Sequence, residues 1–247
     1  MKNTIQKIQS KIRIFRAQKP SFLFTLIFFI SLPTQLLLSK LNFLIKKNQK
    51  DFISNTKQLN SKNKSFDYNI SLFFIILNCL KIKSIFRKVS LLELGSLEGR
   101  SSLFILSFSK KFFLTCVNTR DGVDEDQDKK VLNNIFNKLN LRKFTDKNLL
   151  IKRQKTNDFF ISCPINNKYD FIYLYASHKA SDVFLDLANS INHSKRFSFI
   201  VLDDYLWKYY DEVKKNPGYG INLLINSSPN RIIIPIFVSY QIVLFII

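Results

Sequence analysis

Beyond Lys88, short β-rich runs alternate with helical stretches, and this alternation restricts the possible folds of the chain most strongly. The last two runs follow each other almost directly, so they must form an antiparallel hairpin, since a parallel crossover needs a dozen or more residues. We therefore predict an α/β, doubly wound fold with five parallel strands and a C-terminal antiparallel hairpin. The predicted strands are residues 89–94, 112–117, 148–152, 170–174, 197–202, 231–238 and 240–247, and the clearest helices are residues 126–139 and 180–191.

The segment LLELGSLEGRSSLF, residues 91–104, combines a β-run, a tight turn and the start of a helix. Gly95 permits the close turn and a backbone approach to a ligand, and Gly99 lets the helix pack near the strand. The first amides of that helix point towards whatever is bound. Because the chain has only five glycines, two in one turn predict a site for a nucleotide-like cofactor.

This segment resembles the first motif of class I S-adenosylmethionine-dependent methyltransferases, in the branch whose motif is E-x-G-S-x-E-G-R-S. Later segments resemble the same branch in order: residues 114–126 its second strand, residues 171–187 its fourth strand, and FIVLDDYLW its fifth-strand motif D-D-Y-x-W. The resemblance implies a Rossmann-like methyltransferase fold with S-adenosylmethionine as the cofactor. It also implies methyl transfer to oxygen on a small-molecule or glycan-type acceptor.

By this resemblance, the cofactor-binding residues lie in the first turn and after the second and fourth strands: Glu93, Gly95, Ser96, Gly99, Arg100, Asn118 and Tyr175. Asn118 stands where the family places an acidic residue on the ribose hydroxyls. An amide can bond a hydroxyl, but it lacks the two acceptor oxygens of a carboxylate. We therefore expect a weaker affinity for the cofactor.

The predicted catalytic residues are His178, Asp203 and Asp204, which follow the fourth and fifth strands. His178 is interpreted as a general base beside the methyl acceptor, or alternatively as a helix-entry residue bonded to a backbone carbonyl. The two aspartates are interpreted as part of the site, or alternatively as helix caps. Related metal-dependent O-methyltransferases add a third carboxylate where this chain has Tyr175, and two neighbouring carboxylates hold a hard cation weakly. We therefore expect no bound metal.

Residues 21–39 carry no charge and are just long enough to span a bilayer. Pro33 and polar residues interrupt them, so three interpretations stay open: a membrane-spanning anchor, a helix at the membrane interface, or a segment docked on the protein. We predict a hydrophobic membrane-associating segment in residues 1–48, a helical lead-in at 49–88 and a methyltransferase-like domain at 89–247. The apolar run 70–80 is expected at the sheet edge, and the domain is expected in the cytoplasm, where S-adenosylmethionine is available.

The formal charge of +20 invites a nucleic-acid function, but no aromatic-interleaved basic motif or zinc-finger spacing accompanies it. An anionic membrane surface is the expected partner of these basic residues. Three scattered cysteines form neither a disulfide framework nor a metal site. A second hypothesis is a methyltransferase-fold protein that has lost catalysis and acts as a binding or scaffolding module at a membrane. Asn118, Tyr175 and Ala176, which depart from the family pattern, favour it.

Overall fold

The computed structural model describes residues 2–48, 70–96, 99–118, 148–227 and 233–247. Its helices are α1 (Lys2–Ala17), α2 (Phe22–Asn48), α3 (Ile70–Phe86), α4 (Arg100–Leu106), α5 (Thr156–Ser162), α6 (Ala180–Asn192) and α7 (Pro217–Ser227). Its strands are β1 (Val89–Leu94), β2 (Phe112–Val117), β3 (Leu149–Lys152), β4 (Tyr169–Leu174), β5 (Ser194–Leu202), β6 (Ile233–Val238) and β7 (Ile242–Ile246). The helix predicted at residues 126–139 lies outside the described residues.

The seven strands described above form one sheet in the order β3-β2-β1-β4-β5-β7-β6. At its centre, β1 pairs in parallel with β2 on one side and β4 on the other, so that Leu94 lies beside both Val117 and Leu174. After β1, the chain adds β2 and β3 on one side of it and then β4 and β5 on the other side. The carboxyl ends of β1 and β4 therefore form the topological switch point where ligands bind in such sheets. The predicted α/β class with a mostly parallel sheet is confirmed.

The C-terminal hairpin joins the sheet through its second strand. β7 pairs antiparallel with both β5 and β6. The strand bounds differ from the predicted ones in detail, because residues 239–241 form a tight turn in which the Ser239 amide donates to the carbonyl of Gln241 at 2.8 Å. β5 begins earlier than predicted, at Ser194, which pairs with Tyr169 ahead of a register shift.

Alternate side chains of each strand enter two separate cores, as the two-residue period of a strand requires. Leu91 belongs to the core under α3 and α4, whereas its neighbour Leu92 belongs to the core that contains residues of α1, α2 and α6. Both faces of the sheet are therefore covered. This explains why the central strands are almost wholly apolar.

Helices α1 and α2 pack on the domain. Phe15 and Phe28 stack with their ring centroids 4.0 Å apart, and both lie in the core that contains Leu92. Ser31 accepts a hydrogen bond from the Val238 amide at 3.1 Å. Within the described ranges, no helix combines the length and the apolar character that crossing a membrane requires. Of the three interpretations of residues 21–39, the spanning anchor has no support, and one side of the segment is docked on the protein.

The run predicted at the sheet edge, α3, instead covers the middle of one sheet face. Its Phe73 ring lies 5.8 Å from the ring of Phe171 and 4.8 Å from that of Tyr173, both on β4. At its C-terminal end, Lys83 and Arg87 bind the fully buried carboxylate of Asp170. α3 is apolar on both its buried and its exposed face. The sequence therefore has no amphipathic pattern from which this placement could be predicted.

Candidate functional site

The predicted cofactor turn leaves the carboxyl end of β1 through two glycines with positive φ. Gly95 has φ 84° and donates to the carbonyl of Val117 at 2.8 Å, while Gly99 has φ 71° and donates to the carbonyl of Ser96 at 2.7 Å. A Cβ added to Gly95 would lie 2.1 Å from the carbonyl oxygen of Tyr175. Gly95 is therefore required twice, for its left-handed backbone and for the close approach of the chain after β4.

Glu93 is fully buried beneath this turn. Its two carboxylate oxygens accept hydrogen bonds from the hydroxyls of Ser101 and Ser102, and Cys116 Sγ donates at 3.4 Å. Burial raises the pKa of Glu93, and the three hydrogen bonds oppose that shift. With both oxygens used in this way, Glu93 fixes the start of α4 against β1 and so positions the turn.

The side chain of Ser96 lies in this turn and is available to bind a ligand. It is 2 % exposed, and its hydroxyl has no hydrogen-bond partner in the described part of the chain. A buried hydroxyl without a partner costs free energy, and a ligand that supplies the partner recovers it. Asn118 directly follows β2, the strand next to β1 in the sheet. Its backbone amide donates to the carbonyl of Lys152 at 3.1 Å. These residues fit a polar cofactor along the carboxyl edge.

The two aspartates after β5 have different environments. Asp203 is deeply buried, and its Oδ2 accepts from the Tyr173 hydroxyl at 2.8 Å and from Gln241 Nε2 at 3.1 Å. Its Oδ1 accepts from the amide of Asp204 at 2.9 Å. Burial, followed by the charge of Asp204, raises the pKa of Asp203 to about 6. Burial also raises the pKa of Tyr173, which therefore stays a neutral donor. Asp203 thus braces the turn that carries Asp204.

Asp204 pairs with His178. The distance from His178 Nε2 to Asp204 Oδ2 is 2.9 Å, and a third of the His178 side chain is exposed. The Trp207 ring meets the imidazole edge-on at 4.0 Å, and the Tyr175 ring does so at 6.1 Å. Asp204 has φ 58°, a left-handed conformation that aspartate tolerates better than most residues. The imidazole is thus held by one carboxylate and two rings.

The loop after β5 is held in place by the N-terminal region. Gln18 Nε2 donates to the carbonyl of Tyr205 at 2.9 Å, and Asn222 Nδ2 donates to the carbonyl of Gln18 at 2.9 Å. The Tyr205 hydroxyl closes the arrangement by donating to Asn222 Oδ1 at 3.0 Å. Phe15 and Phe24 pack their rings against Tyr205 at 6.0 and 6.3 Å. The residue after Asp204 is therefore fixed by α1, α2 and α7.

A cavity of about 20 Å³ lies between the ends of β4 and β5. Its walls include Tyr175, His178, Asp186, Asp203 and Asp204. Such a volume holds about one water molecule, so a methyl acceptor would reach His178 from its exposed side. Burial raises the pKa of Asp186 to about 6, with a smaller contribution from Asp182.

The sequence-predicted residues fall into two adjacent groups at one edge of the sheet. His178, Asp203, Asp204 and Tyr175 surround the small cavity, and the first-turn residues lie one strand away, in contact through Gly95 and the Tyr175 backbone. His178 bonds a carboxylate instead of the backbone carbonyl that the alternative interpretation required. The residues after Asp204 form a turn, so the aspartates do not cap a helix.

Sequence reasoning did not identify the residues that support the site, which are Tyr173, Asp186, Gln241 and Gln18. Tyr173 lies two residues before Tyr175 and so shares its side of β4, a spacing that could have suggested it. Nothing in the sequence around Gln18 or Gln241 signals their roles.

The described residues contain no group of three or more His, Cys, Asp or Glu side chains placed to hold a metal ion. The donor chemistry explains this. Tyr175, where the resemblance would place a third carboxylate, has a phenol instead, and Asp203 Oδ2 already accepts hydrogen bonds from Tyr173 and Gln241. A divalent cation needs several free oxygen ligands, so these residues do not fit one.

Comparison with protein-family models gives a match in the central region of the chain. The model of a methyltransferase-domain family matches residues 92–205. This interval runs from β1 to Tyr205 and contains both residue groups of the candidate site. The comparison with curated protein sequences found no match.

Many solved structures resemble the chain, and three of them illustrate the similarity. A candidate O-methyltransferase from Klebsiella pneumoniae is 13% identical with a TM-score of 0.55, covering 86% of this chain and 99% of its own. An O-methyltransferase from Bacillus cereus, in complex with S-adenosylhomocysteine, is 12% identical with a TM-score of 0.53 and coverages of 87% and 91%. The Podospora anserina methyltransferase PaMTH1, bound to S-adenosylhomocysteine, is 10% identical with a TM-score of 0.55 and coverages of 83% and 93%. At these identities the similarity establishes the fold, and the predicted methyltransferase fold is confirmed.

Proposed function

We propose that this protein, whose residues 92–205 match a methyltransferase domain, transfers a methyl group from S-adenosylmethionine to an oxygen acceptor. The observation that carries the proposal is the juxtaposition of two groups at the switch point of the sheet. One is the glycine turn with its buried, unpartnered Ser96 hydroxyl, and the other is the hydrogen-bonded His178–Asp204 pair. A ligand site and a proton acceptor side by side are what methyl transfer to a hydroxyl requires.

The first turn would hold the cofactor. Gly95 and Gly99 would allow its close approach, Ser96 would donate or accept one hydrogen bond, and Arg100 would lie at the start of the adjoining helix. Asn118 would bond the ribose hydroxyls. When bound, S-adenosylmethionine supplies an electrophilic methyl group on a sulfonium, so the protein mainly has to align the acceptor.

His178 would remove the proton of the acceptor hydroxyl. Because Nε2 faces Asp204, the carboxylate holds the tautomer in which Nε2 carries the hydrogen, leaving the lone pair of Nδ1 for the acceptor. The proton then moves from the acceptor oxygen to Nδ1, and Asp204 stabilises the resulting imidazolium. General-base catalysis of this kind contributes about 10²–10⁴-fold. The Trp207 ring limits rotation of the imidazole.

We propose that this reaction proceeds without a divalent cation. The carboxylates that metal-dependent relatives would use are bonded to Tyr173, Gln241 and His178. The expected activity is therefore unchanged by EDTA and by added magnesium. The small cavity and the substitution at Asn118 also support the alternative, a domain that binds the cofactor without turnover.

The two functions are separated by calorimetry and a transfer assay. S-adenosylhomocysteine should bind the full-length protein, and radiolabelled S-adenosylmethionine should label acceptors in a panel of hydroxyl compounds and glycans. His178→Asn should lower transfer at least about 100-fold at unchanged affinity for S-adenosylhomocysteine. His193→Asn is the matched control, since His193 lies at the end of α6 bonded to Asn189. Absence of binding would refute both functions, and binding without any transfer would support the second.

We further propose that the protein works in the cytoplasm at a membrane surface, to which the exposed apolar residues of α2 would attach it. The exposed fractions of these residues support the attachment to a membrane surface. The acceptor would then be a small molecule or a glycan intermediate that is accessible from that surface.

A further inference from the structure

Helix α2 has two opposite apolar faces, and the described part of the protein covers only one of them. Phe24 and Phe28 are buried in the core. On the other side, large apolar side chains are exposed at Leu23 (45%), Leu26 (48%), Ile30 (54%) and Leu37 (62%). Their spacing of three, four and seven residues puts them on one stripe of the helix. We name Leu23, Leu26, Ile30 and Leu37 the outer stripe.

The charged residues of the segment 1–48, which contains the outer stripe, have a single sign. Residues 1–48 contain no Asp or Glu, although the whole chain has 18 acidic residues, and they contain nine basic residues: Lys2, Lys7, Lys11, Arg13, Arg16, Lys19, Lys40, Lys46 and Lys47. Lys40 is exposed and lies three residues beyond Leu37, hence on the same side of α2 as the stripe. An occupant of this face must therefore be both apolar and anionic.

These two properties select one occupant among the alternatives. A second copy of the chain would bring the same nine basic residues against them, and like charges at an interface repel. A spanning arrangement would require α2 to leave the core that Phe24 and Phe28 occupy. The surface of an anionic bilayer provides apolar depth for a stripe of leucines and negative charge for the lysines.

We propose that the outer stripe of α2 lies in the headgroup region of an anionic membrane, with Lys40 on the lipid phosphates and the net positive charge of residues 1–48 attracted to the negative surface. This proposal deepens the membrane part of the proposed function by naming the lipid charge and the contacting residues. It does not require catalysis, because vesicle binding is measured without cofactor or acceptor. The opposite side of α2 and residues of α1 pack against Tyr205, so the helix whose outer stripe would meet the lipid is also part of the structure that supports Asp204.

The test is sedimentation of the full-length protein with sucrose-loaded vesicles. Vesicles of phosphatidylcholine with 30% phosphatidylserine are compared with vesicles of phosphatidylcholine alone. The parent should bind the anionic vesicles preferentially, and raising salt from about 0.1 to 0.5 M should weaken binding because the charges are screened. Leu26→Glu with Ile30→Glu should lower the affinity at least about tenfold, since two apolar anchors are replaced by like-charged groups.

The matched control is Ile161→Glu with Leu185→Glu, which changes the net charge by the same amount at two exposed apolar positions outside α2 (80% and 46% exposed). The control should bind vesicles within about twofold of the parent, because the membrane surface attracts charge near the contact. Equal losses in both double variants would overturn the role of the stripe, as would a parent that binds neither vesicle. A dimer in light scattering that Leu26→Glu and Ile30→Glu dissolve, without vesicle binding, would replace the lipid by a second copy.

Discussion

Replacing Ser96 by alanine tests whether the first turn is a cofactor site, because the structure predicts opposite effects on folding and on binding. The Ser96 hydroxyl is buried and has no partner among the described residues, so the free protein bears the cost of its lost hydration. Leaving such a group unsatisfied costs about 1–3 kcal/mol. Ser96→Ala removes this cost, but it also leaves a small void in place of the oxygen, and the void offsets part of the stability gained. The free energy of unfolding without ligand should therefore stay equal or rise by about 1 kcal/mol.

Binding should change in the other direction. If the cofactor supplies the missing partner, Ser96→Ala removes one hydrogen bond worth about 1 kcal/mol, which corresponds to about a fivefold weaker Kd. Urea unfolding would be followed with and without S-adenosylhomocysteine at about 100 times the Kd of the parent. Ligand at that level should stabilise the parent by about 2.7 kcal/mol and the variant by about 1.8 kcal/mol.

The control is Ser107→Ala, which removes a hydroxyl of the same kind at an exposed position at the end of α4. It should leave the affinity for S-adenosylhomocysteine unchanged. A Ser96→Ala protein that loses 1 kcal/mol or more of unfolding free energy and binds the cofactor as the parent does would refute the reasoning. The hydroxyl would then be satisfied within the protein and have no ligand role.

Three further substitutions test the framework around the site. Gly95→Ala should cost about 3 kcal/mol in urea unfolding and abolish cofactor binding, because its Cβ would meet the Tyr175 carbonyl at a positive φ. Asp170→Asn should cost about 2 kcal/mol at pH 7, since it leaves three partly exposed cations around a buried amide. Burial opposes a low pKa for Asp170, but the hydrogen bonds from those cations hold the pKa well below its usual range. The contribution of Asp170 to the free energy of unfolding is therefore complete above about pH 4 and is lost as the pH falls further. The unfolding free energy of the Asp170→Asn variant should lack this loss at acid pH. Gln18→Ala should cost about 2 kcal/mol in thermal unfolding, because the Tyr205 carbonyl loses its donor.

The strands were predictable because their hydrophobic period and the glycine turn are local signals. The bounds of β1 and β2 were predicted to the residue. Errors occurred where pairing between distant segments sets the strand length, as at Ser194, which joins the sheet only because Tyr169 lies beside it. His178, Asp203 and Asp204 were selected because their order resembles the family pattern, and their catalytic role stays a prediction. Their mutual hydrogen bonds depend on side-chain geometry, which no single sequence encodes locally.

The N-terminal segment shows a different limit. Nineteen uncharged residues have the composition of a bilayer span, and composition does not reveal which side chains another part of the protein covers. Phe24 and Phe28 became core residues only because Phe15 and Tyr205 lie opposite them. Truncation at residue 48 would thus expose the core that contains Leu92, so release of an intact domain is not expected from that deletion.

The same contacts give the N-terminal helices a second consequence. Asp204 can hold the His178 imidazole only while the left-handed turn after β5 keeps its position. That turn is fixed on one side by Asp203, through Tyr173 and Gln241, and on the other by Tyr205, through Gln18 and Asn222. The second set of bonds originates in the segment that we propose to meet the membrane. A force that moves α1 or α2 relative to the sheet would therefore act on the carboxylate of Asp204 through one residue of chain. Lipid binding at α2 would therefore act on the His178–Asp204 pair through covalent adjacency and through two hydrogen bonds of 2.9 Å.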